Sequence, residues 1–156
     1  MRALILKLVV PLTIISFALI TKWWYVLPED APDSMFTGFP FPYVGSAWYT
    51  SMAMQYFALE FFADLLVYFS FWLLVIWSIN RFFKKILLHK IVTIVLWTIS
   101  ALIIALGSLI ASNPDNLFLL KRNFKMKVLD SGYNFFWQYV DRSDYNKYHP
   151  ETKKEK

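Results

Sequence analysis

The amino-acid sequence predicts an all-α integral membrane protein with three transmembrane helices, an aromatic and proline-rich extracytoplasmic loop, and a short membrane-associated C-terminal tail. Of its 156 residues, 58% are hydrophobic and 17% are charged, whereas soluble domains run at about 45–50% and about 25%. The mean hydropathy is +0.43. Three apolar runs approach the roughly 20 residues that a helix needs to cross a bilayer. The sequence contains no cysteine, which excludes disulfides and thiolate metal sites.

The first predicted span covers residues 3–26. Lys7 and Lys22 bracket its most apolar stretch and can extend their amines to opposite interfaces. The aromatic residues 23–25 follow directly, as in the aromatic belts at membrane interfaces. Pro11 is expected to bend the helix. No small-x-small cleavage site precedes the tryptophans, so the pattern favours a retained anchor over a signal peptide.

The second and third predicted spans cover residues 56–79 and 91–111. The heart of the second contains no charge, and the third is 21 residues without a charge. Pro114 follows the third run, where it ends the helix because proline cannot continue one. These boundaries divide the chain into a three-helix membrane domain over residues 1–111 and an amphipathic basic tail over residues 112–156.

The loop between the first two spans begins with acidic, turn-rich residues at 28–33 and continues as Gly-Phe-Pro-Phe-Pro-Tyr over residues 38–43. The alternate prolines fix φ and favour extended geometry in the residues before them. Because so many aromatic side chains would be a liability in water, we expect the loop to lie along the membrane surface or over the helix ends. The residues predicted to dock there, together with basic residues of the tail, are Phe39, Phe41, Tyr43, Trp48, Lys121, Arg122, Lys125 and Lys127.

The tail has two interpretations, which the sequence leaves open. Apolar residues alternate with lysines over residues 124–128, and turn-like residues at 130–132 precede an aromatic run at 133–140, which together predict a small hairpin. An interfacial helix over residues 117–124 is the alternative, although its apolar and basic positions separate weakly. In either form, the tail is predicted to pack on the membrane surface or on a partner.

Basic residues near the span ends predict that the amino terminus lies in the cytoplasm. That orientation places Arg2, Lys7 and the four basic residues of loop 80–90 inside, and the acidic loop outside. It also places the tail outside. The four basic residues of the tail and Lys22 then lie on the side where basic residues are usually fewer, and the tally is six inside against five outside. The basic loop and the usual dominance of the first spans favour this orientation.

Glu60 and Asp64 form the candidate polar or ion site. They are four residues apart and therefore project from one face of the second span, and Tyr56 and Tyr68 continue that face. The two acids are either wetted residues at the outer end of the helix, or a proton, cation or polar-partner site that faces the bundle interior. No histidine lies near them in the sequence, so neither a metal ion nor another cofactor is predicted.

Small residues on the third span predict the face on which another helix packs. Ala101, Ala105, Ser108 and Ser112 follow one another at spacings of four, three and four residues. Small side chains on one face let two helix backbones approach closely. We therefore expect this face to be in contact with another helix.

The proline-rich motif at 38–43, followed by Glu60, Asp64 and an aromatic run, resembles a set of small bacterial inner-membrane proteins. Those proteins carry a Gly-aromatic-Pro-x-Pro-aromatic segment after a first span. The resemblance covers residues 36–80 of this chain. Because those proteins have no settled activity, the resemblance implies a multi-pass location in the bacterial inner membrane and no catalytic residue.

Three functions remain open from the sequence. The first is a non-enzymatic subunit or assembly partner of a larger bacterial membrane complex, because three helices enclose little volume for a substrate. The second is an ion- or proton-handling homo-oligomer in which Glu60 and Asp64 face a shared axis. The third is a membrane enzyme that acts on a lipid-linked substrate. The expected partners are the lipid bilayer and other membrane proteins or a second copy, and no nucleic-acid motif accompanies the basic residues.

Overall fold

The structure, a computed structural model, describes residues 2–29, 31–48, 52–83 and 85–135. Within these residues it contains three long helices and a six-stranded mixed β-sheet. The chain therefore has an α/β fold, and the prediction of an all-α protein is wrong. The sheet is formed by segments that the sequence pattern assigned to a loop, to a tail, to the end of the first span and to the first two residues of the second, residues 56–57.

Three apolar helices are long enough to cross a membrane by length and composition, as the sequence predicts. Helix α1 covers Arg2–Leu19, helix α2 covers Ala58–Phe83 and helix α3 covers Lys90–Ala111. Helix α1 has a π-helical turn at Ile5–Val9, shortly before Pro11. Proline lacks the N–H that would continue the regular hydrogen-bond pattern, and such interruptions are commonly accommodated by local π-turns.

The first helix is shorter than the predicted span of residues 3–26, because it ends at Leu19. Ile20 has extended backbone angles, with φ of −122° and ψ of 116°, and begins strand β1, Ile20–Pro28. The aromatic residues 23–25, predicted as an interfacial belt, therefore lie in the sheet. The uncharged run continues across this boundary, so hydropathy alone does not mark it.

Helix α2 packs against α1 in the antiparallel direction. Trp72 Nε1 donates a hydrogen bond of 2.9 Å to Ser16 Oγ. One turn earlier on α2, the Tyr68 hydroxyl donates to the Ile20 carbonyl at 2.6 Å. Earlier residues of α2 therefore lie beside later residues of α1.

Helix α3 packs against α1 in the parallel direction. Trp97 Nε1 donates to the Leu6 carbonyl at 3.1 Å, and Ser100 Oγ donates to the Pro11 carbonyl at 3.3 Å. Residue numbers thus rise together along both helices. The three helices run up, down and up, with α1 in contact with both of the others.

The sheet combines four strands that precede α2 in the sequence with two strands that follow α3. Their order in the sheet is β5-β4-β3-β2-β1-β6. Strands β1 to β4 form an antiparallel meander that precedes α2. After α3, strand β5 adds parallel to β4, and β6 adds antiparallel to β1 at the other edge. Besides β1, the strands are β2 Ser34–Thr37, β3 Val44–Ser46, β4 Met54–Phe57, β5 Leu117–Leu119 and β6 Met126–Phe135.

Strand β6 continues without a turn through residues 130–132, which were predicted to form a hairpin turn. It pairs with β1 along nearly the full length of both strands, with one shift of register after Tyr25. Gly132 lies opposite Trp23, and a Cβ at this glycine would meet the indole ring at 2.8 Å. The glycine therefore allows close packing within a strand. Within the described residues the tail forms neither the predicted hairpin nor the interfacial helix, and residues 136–140 of that hairpin lie outside them.

Apolar side chains on one face of the sheet, most of them aromatic, form its core. Val26, Phe36 and Phe57 are fully buried. Phe124 packs against two of them, with its ring centroid 6.1 Å from that of Phe36 and 5.9 Å from that of Phe57. Phe124 belongs to residues 120–125, which join edge strand β5 to edge strand β6. This connection therefore crosses the face of the sheet that carries Val26, Phe36 and Phe57.

All six strands lie at one end of the helices. Strand β1 follows the carboxyl end of α1, and β4 leads into the amino end of the antiparallel α2. Strand β5 follows the carboxyl end of α3. Residues 85–89, between α2 and α3, lie at the opposite end, together with the start of α1.

Candidate functional site

Asp64 is fully buried at the junction of α2 and the sheet. Its Oδ1 accepts a hydrogen bond of 2.9 Å from the backbone N–H of Phe41, and the backbone N–H of Phe39 also lies beside the carboxylate. The second oxygen, Oδ2, is buried and has no hydrogen-bond partner among the described residues. Burial of a polar atom without a hydrogen-bond partner is energetically unfavourable, so this oxygen is an unusual feature of the site.

Gly38 and strand β1 hold the loop that carries Phe41. Gly38 has a φ of 150°, and a Cβ at this position would clash with the Phe41 carbonyl oxygen. Its N–H donates to the Lys22 carbonyl at 2.9 Å, and its own carbonyl accepts from Trp24 Nε1 at 2.8 Å. The loop therefore needs glycine here, and its conformation directs the Phe41 N–H towards the buried acid.

Glu60 lies one turn before Asp64 on the same face of α2. Its Oε1 accepts a long hydrogen bond of 3.4 Å from the backbone N–H of Arg122, and its Oε2 is buried with no partner in the described part of the chain. The Arg122 guanidinium is directed elsewhere, with Nη1 3.5 Å from the sulfur of Met126. Each acid therefore binds the backbone of a different segment, Glu60 that of the β5–β6 connection and Asp64 that of the proline-rich loop.

Aromatic rings from α1, α2 and the loop pack together beside Asp64, which lies near Tyr43 and Tyr68. Phe17 of α1 stacks on Tyr43, with 5.1 Å between ring centroids. It also meets Phe61 and Tyr68 of α2 edge-on, at 5.2 and 5.6 Å. Phe39 meets Tyr68 edge-on at 6.2 Å. These five residues form an aromatic shell, and edge-on and offset contacts of this kind are the favoured geometries for aromatic pairs.

Tyr43 joins the site, although its sequence position suggested only docking at the membrane surface. Burial raises the pKa of the Tyr43 hydroxyl, and the nearby Asp64 and, to a smaller extent, Tyr68 and Tyr56 raise it further. Tyr43 is therefore a neutral hydroxyl well into the alkaline range. The signal for its role was the motif itself, because Tyr43 ends the segment whose backbone binds the acid.

The two tyrosines predicted beside the acids occupy different places. Tyr68 lies in the aromatic shell, and its hydroxyl binds the Ile20 carbonyl. Tyr56 lies in β4, before α2 begins, and burial raises the pKa of its hydroxyl. Its ring stacks on Phe118 at 5.1 Å, and its hydroxyl points to the sulfur of Met54 at 3.8 Å. The structure thus brings Tyr68 to the acids more directly than Tyr56.

The predicted docking residues differ in their exposure. Phe41 and Trp48 expose 51% and 42% of their surfaces, whereas Phe39 is half-buried. The Trp48 ring meets Phe124 at 5.2 Å and so covers the connection across the sheet. Among the basic residues of the tail, Lys121, Lys125 and Lys127 are exposed and Arg122 is half-buried.

The small-residue face of α3 is not the face that packs on α1. That contact centres on Ser100, which is fully buried. The small-residue face is instead exposed along its length, and its members are Ala101, Ala105, Ser108 and Ser112. Within the described chain this face therefore has no helix against it.

The chemistry that the acid pair offers is limited to its two unpaired oxygens. In the part of the chain that the structure describes, no three His, Cys, Asp or Glu side chains come together as a possible metal-binding group. Glu60 Oε2 and Asp64 Oδ2 can each accept a proton or a hydrogen bond. The other oxygen of each acid holds a backbone segment in place.

No family model, no curated protein and no solved structure matches this chain. The resemblance to small bacterial inner-membrane proteins therefore stays a prediction. The fold and the polar site at the junction of α2 and the sheet are therefore the features that bear on its function.

Proposed function

We propose that this chain is a multi-pass protein of the bacterial inner membrane and a non-enzymatic subunit of a larger membrane complex. In this proposal, α1 to α3 cross the bilayer with the amino terminus in the cytoplasm. The six-stranded sheet then lies on the extracytoplasmic side as a docking module. The observation that carries the proposal is the outer surface of α3, which is apolar and exposed and includes the uncovered small-residue face.

The exposed apolar surface of the helices supports insertion in lipid. On α3, Leu102, Leu106 and Leu109 expose 60%, 61% and 71% of their surfaces, and on α2, Phe62 and Leu66 expose 64% and 65%. A contiguous apolar surface of this extent indicates contact with lipid or protein. Lipid fits best because these helices have the length of a hydrocarbon core.

The distribution of charge supports the orientation. Among the described residues, every acidic residue lies at the sheet end of the helices, where basic residues nearly balance them. The opposite end carries basic residues and no acidic ones. Basic residues close to span ends favour the cytoplasm. The acids are Glu29, Asp33, Glu60, Asp64, Asp115 and Asp130, the basic residues beside them are Lys22, Lys121, Arg122, Lys125 and Lys127, and those at the opposite end are Arg2, Lys7, Arg81, Lys85 and Lys90.

The roles of the buried polar groups favour a structural protein over an enzyme. Thr13 and Ser100 bind backbone carbonyls of their own helices, at 2.8 and 2.9 Å. Gln55 donates to the Ser46 carbonyl of the neighbouring strand at 2.9 Å. Asp64 binds the Phe41 N–H. Each of these groups is occupied with holding backbone, which leaves the small-residue face and the sheet for binding a partner.

Single cysteines test the orientation cleanly, because the natural sequence contains none. Met52 at the sheet end and Leu87 at the opposite end are 85% and 94% exposed. A membrane-impermeant thiol reagent should label Met52→Cys in cells with a permeable outer membrane, and Leu87→Cys only after the inner membrane is opened. The reverse pattern contradicts the orientation. Labelling of both positions before the membrane is opened contradicts a spanning fold.

A photo-crosslinking amino acid on α3 tests the proposed partner. Ala105 lies on the small-residue face, and Leu106, its neighbour, points about 100° away from it. We expect a discrete cross-link to a second membrane protein from position 105 and mainly lipid adducts from position 106. Equal yields from both positions contradict a specific interface. A cross-link between two copies of this chain would replace the larger complex by a homo-oligomer.

A further inference from the structure

Two carboxylate oxygens at the junction of α2 and the sheet, Glu60 Oε2 and Asp64 Oδ2, are buried and have no hydrogen-bond partner among the residues that the structure describes. The Asp64 side chain has no exposed surface. The two acids lie one helical turn apart on one face of α2, which places their Cβ atoms roughly 5–6 Å apart. We propose that Glu60 and Asp64 together bind one proton, held between these two oxygens.

The charge of the pair argues for the proton. Two ionised carboxylates here carry two negative charges on adjacent turns, and they repel each other at a site where Asp64 is fully buried. Among the described residues, no Lys, Arg or His forms an ion pair with either acid. One proton halves the charge. It also supplies an O–H donor, so that one unpaired oxygen satisfies the other.

The other titratable groups around the pair do not neutralise it. Tyr43 and Tyr68 face Asp64, Tyr56 lies beside Tyr43, and Tyr133 lies beside Tyr68. Tyrosines are uncharged near neutral pH. On the Glu60 side, Arg122 contributes its backbone N–H, while its guanidinium contacts a methionine sulfur.

A proton fits the donor set better than a metal cation does. Calcium takes six to eight oxygen ligands and magnesium takes six, whereas the described residues supply two unpaired carboxylate oxygens at this site. A proton on those oxygens also leaves the hydrogen bonds from the Phe41 and Arg122 N–H groups in place, because each of these groups binds the opposite oxygen of its acid. The pair can therefore gain and lose a proton while it still holds the loop and the connection.

Infrared spectroscopy of the full chain in detergent at pH 7 tests the shared proton directly. The wild-type protein should show the carbonyl stretch of one protonated carboxylic acid. The band should be absent in Glu60→Gln and in Asp64→Asn, because the remaining acid ionises once its charged neighbour is gone. Both variants keep an acceptor oxygen for the backbone. Glu29→Gln, which removes an exposed acid at the same end, should retain the band.

Three results would overturn the proposal. A band that survives in Glu60→Gln would mean that Asp64 holds its proton alone. No band in the wild-type protein at pH 7 would mean that both acids are ionised. A band that appears only after sodium and divalent ions are removed would mean that a metal cation occupies the site. Circular dichroism of each variant confirms that it is folded before its spectrum is compared.

Discussion

The backbone N–H of Phe41 and the Oδ1 of Asp64 are 23 residues apart in the sequence and form a hydrogen bond of 2.9 Å. This contact joins the proline-rich loop to the first turns of α2, where the helix leaves the sheet. The loop therefore has a fixed position above the helix ends, set by one buried side chain. The same side chain carries the unpaired oxygen from which we infer a shared proton.

Replacement of Asp64 by alanine should destabilise the chain by about 1–3 kcal/mol, because the Phe41 N–H loses the acceptor of a partly buried hydrogen bond. Asp64→Asn is the matched control, since its amide oxygen can still accept that hydrogen bond. Thermal unfolding in detergent measures both variants. Equal losses of stability in the two variants would show that the hydrogen bond does not hold the loop.

Gly38→Ala should destabilise the fold by more than about 1 kcal/mol, because the new Cβ clashes with the Phe41 carbonyl and the backbone angle disfavours side chains. Gly107→Ala provides the control, since nothing lies within 4 Å of a Cβ there. We expect that control to change the free energy of unfolding by less than about 1 kcal/mol. Chemical unfolding of both variants decides the matter, and similar losses would contradict a special role for Gly38.

The two faces of α3 should respond differently to a larger side chain. Ser100→Leu inserts bulk into the contact with α1 and should cost about 1–3 kcal/mol of stability. Ala105→Leu, on the exposed small-residue face, should change the stability of the isolated chain by less than about 0.5 kcal/mol. It should nevertheless weaken recovery of the partner that cross-links at this position. Unchanged recovery would place the interface elsewhere.

Tyr43 should make the fold sensitive to alkaline pH. Its pKa is raised in the folded chain, whereas an unfolded tyrosine titrates near a pKa of about 10. Above that pH the folded state holds more protons than the unfolded state, so stability falls as the pH rises. Tyr43→Phe should reduce this loss above about pH 10. Tyr133→Phe, whose ring is 65% exposed, is the control, and an equal effect of both changes would contradict the prediction.

The helices could be predicted from the sequence, whereas the sheet could not. Hydropathy identified three runs because each helix needs an apolar surface along its whole length. Strands β2 to β5 have only three or four residues each, too few for a periodic pattern. The two edge strands also pair with distant segments, since Ile20 of β1 pairs with Phe135 of β6 and Gln55 of β4 pairs with Leu117 of β5. The uncharged run through Leu19 conceals the change from helix to strand.

The candidate site was predicted in part. The spacing of Glu60 and Asp64 put them on one helix face, and the structure places them there. Their partners are the backbone N–H groups of Phe41 and Arg122. No side-chain pattern identifies a backbone donor that reaches the acid only through the tertiary fold. The turn signal at Gly132 failed for a related reason, because that glycine accommodates the Trp23 ring.

Strands that precede α2 and strands that follow α3 pair in one sheet, so the sheet is completed only late in synthesis. During synthesis, β1 emerges long before β6, and the last two helices must be made before β6 is available to pair with β1. The growing chain therefore holds an incomplete sheet, with an unpaired edge and exposed rings, until translation has passed residue 135. A nascent chain stopped after α3 would present that edge to proteases and to other unfolded chains.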